Sequence, residues 1–448
     1  MIKKIIAGLC LVFSTIAFSQ ENNASPYSFY GIGDTKFKGT ADNRSMGGLG
    51  IIPDSIHLNL QNPATYSALK LTTWSVGATN TRTSLATDTE SANAGRVSID
   101  YLAMALPFKK VAVSFGIMPY TATGYKIQKS ITDPTDEQYY TLKTDTKFDG
   151  SGGLNRVYGG ASYKITPKLG IGANFNYYFG NIKTQSLVTQ TLLLEGIPVL
   201  DIITGEFVTP VSSFQSQYST RETNSTKYHA VGFDIGAYYQ TMINKKYNWN
   251  VSATFTPEAK LSGETTRNIA TVTVSSDGTT TVMDDRNYNL GGTDKKMPMK
   301  FTVGTGFGLP RKWFAGIEFT QMGNSALSNR FDGITTAAFK DGQKISLGGY
   351  YIPNYFSYTS YLSRITYRGG LRYEKTGLVL NGQDINDMGV SLGVGLPLSG
   401  TIGGSNLNIG LEYGQRGTKS AGLIQENYFS IFIGLSLNDK WFVKRKYE

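Results

Sequence analysis

Between Tyr428 and Leu437 the residues alternate strictly, with Phe429, Ile431, Ile433, Leu435 and Leu437 set against Ser430, Phe432, Gly434 and Ser436, and a dozen further segments keep the same period of two. Successive side chains of a β-strand point to opposite faces, so this pattern puts an apolar row on one face and a polar or small row on the other. A strand with one face in lipid and the other toward a narrow interior carries that signature. Beyond the leading residues no run is apolar enough for a membrane helix. The pattern therefore predicts an all-β chain closed into a transmembrane antiparallel β-barrel.

The leading residues explain how such a chain reaches a membrane. Lys3 and Lys4 precede an apolar run from Ile5 to Phe13, and Ala17-Phe18-Ser19 supplies small residues where a signal peptidase reads. Residues 1–19 are expected to be a signal peptide, with the mature chain starting at Gln20 and residing in a bacterial outer membrane. Cys10 is the single cysteine and lies inside the apolar run, preceded by Leu9 where a lipoprotein signal needs a small residue. Export thus leaves no disulfide, no thiolate nucleophile and no cysteine metal ligand. About 430 residues remain, enough for about fourteen strands of 9–11 spanning residues and large loops.

Composition agrees with a barrel. The chain has 51 Gly, which admit a tight interior, and 28 Tyr with 23 Phe, rings suited to both membrane edges. Charged residues make up 17%, below the ~25% of soluble domains. Net charge is +10, but an exported barrel meets no nucleic acid, so the excess is expected on solvated turns and near headgroups.

Strands are expected near Leu71, Val97, Val111, Arg156, Leu169, His229, Trp249, Lys300, Trp313, Ile345, Ile365, Gly389, Leu407 and Tyr428. Short connections at Lys109-Lys110, Thr166-Pro167, Asn244-Lys245-Lys246 and Pro310-Arg311-Lys312 alternate with long segments at 119–154, 181–226, 259–297 and 323–344. Short periplasmic turns and long outer loops are the habit of outer-membrane barrels, and an even strand number puts all the short turns on one side. Three parts follow the signal: a Gly-rich, Pro-punctuated segment at 20–69 that shows little alternation, a barrel at 70–437 and a basic tail at 438–448.

The run Arg44-Ser45-Met46-Gly47-Gly48-Leu49-Gly50, followed by Asn62-Pro63-Ala64-Thr65-Tyr66, resembles the N-terminal pattern of the FadL/TodX family of outer-membrane fatty acid and aromatic hydrocarbon transporters. Physically, the glycines allow backbone to pass close to a wall, while Asn62 and Pro63 fix a turn. The resemblance implies a fourteen-stranded barrel plugged by its N-terminal hatch, with Arg44, Met46, Gly47, Gly48, Gly50, Asn62, Pro63 and Ala64 as hatch or gate residues. It also implies a hydrophobic ligand captured at the outer loops. Some relatives of that family serve instead as docking subunits of secretion or assembly complexes.

Alternation places the charges of Asp234, Glu318, Arg364, Arg368, Arg372, Glu374 and Glu412 inward, as a salt-bridge ladder or as the border of a polar path. The stretch with Leu192, Leu193, Leu194, Ile197, Val199, Leu200, Ile202, Ile203, Phe207 and Val208 falls in an expected outer loop and is a candidate ligand or partner surface, unless it covers itself. His57 and His229 are the only histidines and lack a recognisable partner motif, so no enzyme is expected. Asp284, Asp285 and Asp294 lack calcium-loop spacing, and neither metal nor cofactor is expected. The functional expectation is a channel for diffusion-driven uptake of fatty acids or aromatic hydrocarbons. Its alternative is a structural or docking subunit of an outer-membrane complex.

Overall fold

The computed structural model describes residues 23–134, 140–195, 199–200, 207–208, 211–216, 218–275, 277–329, 337–398 and 404–441. The expected signal peptide, Gln20 and the tail from residue 442 lie outside them, as do Ile197, Ile202 and Ile203. Fourteen strands form the wall: β1 (Thr72–Ala86), β2 (Ser91–Phe108), β3 (Val111–Pro134), β4 (Tyr140–Lys164), β5 (Leu169–Glu195), β6 (Ser219–Ile243), β7 (Tyr247–Thr256), β8 (Lys300–Leu309), β9 (Trp313–Met322), β10 (Gly342–Tyr351), β11 (Thr366–Leu380), β12 (Gln383–Pro397), β13 (Asn406–Arg416) and β14 (Gln425–Asp439). Each pairs antiparallel with the next, and β14 returns to β1 in a register that sets Ser75 opposite Ser436. The cylinder is closed at its short-turn end, where every neighbouring pair of strands is joined.

Local chemistry accounts for the alternating ends. Lys109, Asn244, Lys245 and Arg311 adopt left-handed backbone with φ of 41°, 50°, 53° and 58°, as tight hairpin connections demand. All four tryptophans, Trp74, Trp249, Trp313 and Trp441, sit toward this short-turn rim, where amphipathic rings meet headgroups. Between the rims the outward rows are apolar and exposed, as with Phe233 and Ile235 on β6 or Ile431 and Ile433 on β14.

The segments expected as long loops are in large part strand. β3 to β6 run 24, 25, 27 and 25 residues, against the roughly ten that a bilayer requires. Residues 259–297 form a hairpin of Ala259–Val274 and Thr280–Met297. Its first strand takes over the edge of β6 from Ser219 to Ala230, whereas the lower part of β6 pairs with β7 from Ile235 to Ile243. A tall sheet therefore rises beyond the membrane, and Thr280–Met297 is exposed on both faces along most of its length. Above the bilayer both faces of a strand meet water, so the polarity contrast that marks a lipid-facing strand disappears while backbone pairing persists.

Two further expectations change. Arg364 lies in a single 3-10 turn, Leu362–Arg364, ahead of β11, and its guanidinium stacks over Tyr361 instead of lining the wall. The inward alternation of Arg368 and Arg372 starts only with β11 at Thr366. Leu192, Leu193 and Leu194 end β5, registered against Leu142, Thr141 and Tyr140, and do not belong to a loop. Val199–Leu200 and Phe207–Val208 pair with each other in a separate two-stranded ladder.

Candidate functional site

The interior is occupied by residues Asn23 to Leu69, referred to below as the hatch. It begins with a 3-10 turn at Pro26–Phe29, adds Asp34–Thr35 to the edge of β3 opposite Ala122 and Thr121, and makes one helical turn at Ala41–Arg44. A second 3-10 turn at Pro63–Ala68 leads into β1. Proline opens both 3-10 turns because its fixed φ suits the first position and its missing donor costs nothing there. Asn62 caps the second: its Oδ1 accepts from Ala64 N at 3.0 Å, and its Nδ2 donates to Ala237 O on β6 at 3.1 Å.

Glycine decides how closely hatch and wall approach. Gly47 and Gly48 have φ of +69° and +88°, and a Cβ on Gly47 would lie 2.7 Å from the Leu371 carbonyl oxygen. From the wall side, a Cβ on Gly370 would lie 2.2 Å from Gly47 N, and one on Gly348 2.3 Å from Met46 O. Backbone therefore rests on backbone. Around this contact Met46, Leu49 and Ile51 bury themselves against Phe314, while Leu58, Leu60, Tyr66 and Leu69 cluster with Tyr101, Met118 and Tyr158.

Charge seats the rest. Lys38 pairs with Asp234 at 2.7 Å, Arg44 with Glu412 at 2.6 Å, and Asp34 with Arg416 at 2.8 Å. Arg372 extends the network to Glu412 at 3.0 Å and Asp387 at 3.3 Å, and Gly50 N donates to Glu318 at 2.9 Å. Ser25 donates to Glu426, and Arg96 to Asn23. Asp234, Glu318, Arg368 and Glu412 are buried, whereas Arg372 and Glu374 are half-buried. Removing charges from water is costly, and partners on both sides offset it only as long as every pair is kept. Burial, and next the neighbouring Arg96, draw the Lys36 ammonium down to about 7. At the other end of the hatch His57 Nδ1 meets Asp54 Oδ2 at 2.9 Å. Burial opposes both charges, but the pair overrides it, holding the Asp54 carboxyl at about 2 and raising the His57 imidazole.

Two chambers lie among the described residues of the lumen. One of about 150 Å³ is polar, with Lys36, Arg96, Asp100 and Glu426 on its walls. The other, of about 280 Å³, sets Met297, Met299 and Phe339 beside Lys300 and Lys344. The wall is splayed next to the first chamber. The register between β2 and β3 extends only from Phe108 opposite Val111 to Leu102 opposite Ile117. Above it, bulges at Asp100 on β2 and Tyr120 on β3 kink the two strands, next to Pro119.

Among the predicted charges the fold brings Asp234, Glu318, Arg372 and Glu412 together with the hatch. The sequence pattern does not reveal the hatch residues Lys38, which pairs with Asp234, and Asp34, which pairs with Arg416, nor the wall residues Arg96, Asp387, Arg416 and Glu426. The signal was present in the inward phase of Glu426, Tyr428 and Ser430 on β14. His57 Nε2 is buried with no hydrogen-bond partner, and His229 faces outward on β6. Among the described residues no group of three His, Cys, Asp or Glu is placed to hold a metal.

A family model described as BamG matches residues 1–448. No curated protein matches the sequence. Among solved structures the chain is similar to the CymD monoaromatic hydrocarbon channel, at TM-score 0.53 and 14% identity over 90% of this chain and 98% of that one. It is also similar to the Ralstonia pickettii toluene transporter TbuX, at 0.51 and 14% over 90% and 99%. A Pseudomonas aeruginosa FadL homologue gives 0.53 and 12% over 90% and 98%. At such identities the likeness is one of fold, and the fold is the outer-membrane barrel that the hatch pattern resembled.

Proposed function

The chain belongs to the BamG family, and from that premise we propose that it is a stoppered outer-membrane barrel that docks other subunits of an outer-membrane complex. The observation that carries this reading is the seating of the hatch, by three partly buried ion pairs and direct backbone contacts, in a lumen that an oily conduit would need free and apolar. The tall sheet ending in Thr280–Met297 adds an exposed surface far larger than barrel closure requires. Purification of the intact protein in mild detergent tests it. A stoichiometric partner and silence in planar bilayers are expected; a lone monomer that conducts would reject the proposal.

A second reading, a channel for hydrophobic small molecules, is favoured by the splayed seam between β2 and β3 and by the larger chamber. There the Lys300 and Lys344 ammonium groups next to Met297, Met299 and Phe339 suit an amphiphile with an acidic head. The named channels of similar fold lend it an analogy. A deletion strain that takes up long-chain fatty acids and aromatic hydrocarbons as fast as its parent would exclude this reading.

A further inference from the structure

On the lipid-facing surface of β9, β10 and β11 lies a hollow of about 610 Å³. Its floor is one cross-strand row, Ala315 opposite Gly349 opposite Gly369. Exposed Ile317, Leu347 and Leu371 form the next row up, and Trp313, Tyr351 and Tyr367 the row below, at the short-turn rim. Small residues ringed by large ones leave a depression that straight packing of bulk lipid does not fill.

The rim below this hollow differs from the other short turns. Residues 352–365 form a long connection held against the turn at Pro310–Lys312 by Ile352 N donating to Lys312 O at 2.7 Å, and closed by Asn354 N donating to Ser363 O at 2.8 Å. The Arg311 guanidinium lies 5.2 Å over the Tyr355 ring and 5.1 Å over Phe356. Phe356, Tyr358 and Leu362 are exposed by 60%, 98% and 67%, an arrangement that suits a headgroup layer better than open water. Among the described residues no carboxylate pairs with Arg311, Lys312 or Arg364.

We propose that this hollow is a binding site for a glycerophospholipid of the leaflet on the short-turn side, with an acyl chain along Ala315, Gly349 and Gly369 and the phosphate on Arg311 and Lys312. Apolar groove and unpaired cations stand in the order of tail and headgroup, and a guanidinium fixed over two rings is presented to phosphate with little freedom left to lose. A second copy of the chain fits less well. Across a two-fold axis this patch would meet itself and bring no acidic group to Arg311 or Lys312.

Native mass spectrometry of the intact protein in mild detergent tests this, after delipidation and addition of phosphatidylglycerol or of diacylglycerol with the same chains. The wild type is expected to retain one phosphatidylglycerol and to hold diacylglycerol more weakly. Gly369→Leu fills the groove, and its Cβ has room, since the nearest atom is Leu392 Cδ2 at 3.5 Å. It should lower phosphatidylglycerol retention about tenfold with unchanged heat-modifiable migration on gels. Should that variant not fold, Ala315→Leu reads the same row from its other end. Arg311→Gln combined with Lys312→Gln should abolish the preference for phosphatidylglycerol over diacylglycerol. Equal retention by wild type and the filled groove, equal binding of both lipids by the wild type, or a copurifying protein cross-linked at Gly369 in place of lipid would each overturn the proposal.

Discussion

The hatch is held differently at its two ends. From Asn23 to Lys38 polar contacts stand beside two apolar anchors, Tyr27 and Ile32: Asn23 Nδ2 donates to Asp34 Oδ2 at 2.7 Å and to Ala122 O at 3.1 Å, and ion pairs run from Asp34 to Arg416 and from Lys38 to Asp234. From Ala41 to Leu69 it relies on shape, with Met46, Leu49, Ile51, Leu58, Leu60 and Tyr66 each 3% exposed or less and glycine backbones touching across the interface. Arg44 joins the two regimes through Glu412. The contrast teaches that one end can come loose when a single charge is lost, while the other resists until its close contacts are forced apart.

The largest effect is expected from Asp234→Ala, which strands Lys38 and leaves Arg156, 3.8 Å from the lost carboxylate, less compensated. Losing one partner of a buried pair costs about 3–5 kcal/mol. Urea unfolding in micelles should report it, and limited proteolysis should cut the 23–38 region first. Replacing both partners, as in Asp234→Leu with Lys38→Met, should recover part of the loss; if it does not, that end is not held by charge.

Gly370→Val comes next, at about 3 kcal/mol, because its Cβ would meet Gly47 N at 2.2 Å. Here cleavage should reach 41–69 instead. Gly47→Val combined with Gly48→Val should act in the same direction through the left-handed backbone of both residues. A protected inner region in either variant would remove the distinction between the two ends.

Asn62→Ala should cost about 1 kcal/mol through the lost cap, measured as a shift in urea midpoint at unchanged slope. The smallest effect is the pH dependence of the Asp54–His57 pair. His57 is raised from 6.5 in the fold, so its contribution is complete below that value and is lost as pH rises through the folded one. Asp54 is depressed from 3.8 to about 2, so its contribution is present above 3.8 and disappears as pH falls toward 2. His57→Gln should flatten the alkaline limb of a stability profile; an unaltered limb would exclude the pair.

Legibility followed the range of the interactions. Strands such as β8, where Phe301, Val303 and Phe307 alternate with Thr302, Gly304 and Gly308, were readable because a period of two is a local property. The middle of the first strand of the 259–297 hairpin was not, since Gly263 to Asn268 are polar or small on both phases and only pairing with β6 makes them strand. At the site, the left-handed need at Gly47 and Gly48 and the Asn62 cap were visible from their residues. Arg44 with Glu412 and Asp34 with Arg416 were not, being 368 and 382 residues apart.

By itself the sequence determined the alternation, and through it the strand count, the even parity and the lipid-facing rows, because side-chain direction along a strand is set by the backbone of neighbouring residues. Closure brought together what no local pattern encodes: the charges that seat the hatch, the glycines that let backbones touch, and the row of Ala315, Gly349 and Gly369. Each depends on cross-strand register, and register is fixed only when the whole cylinder shuts.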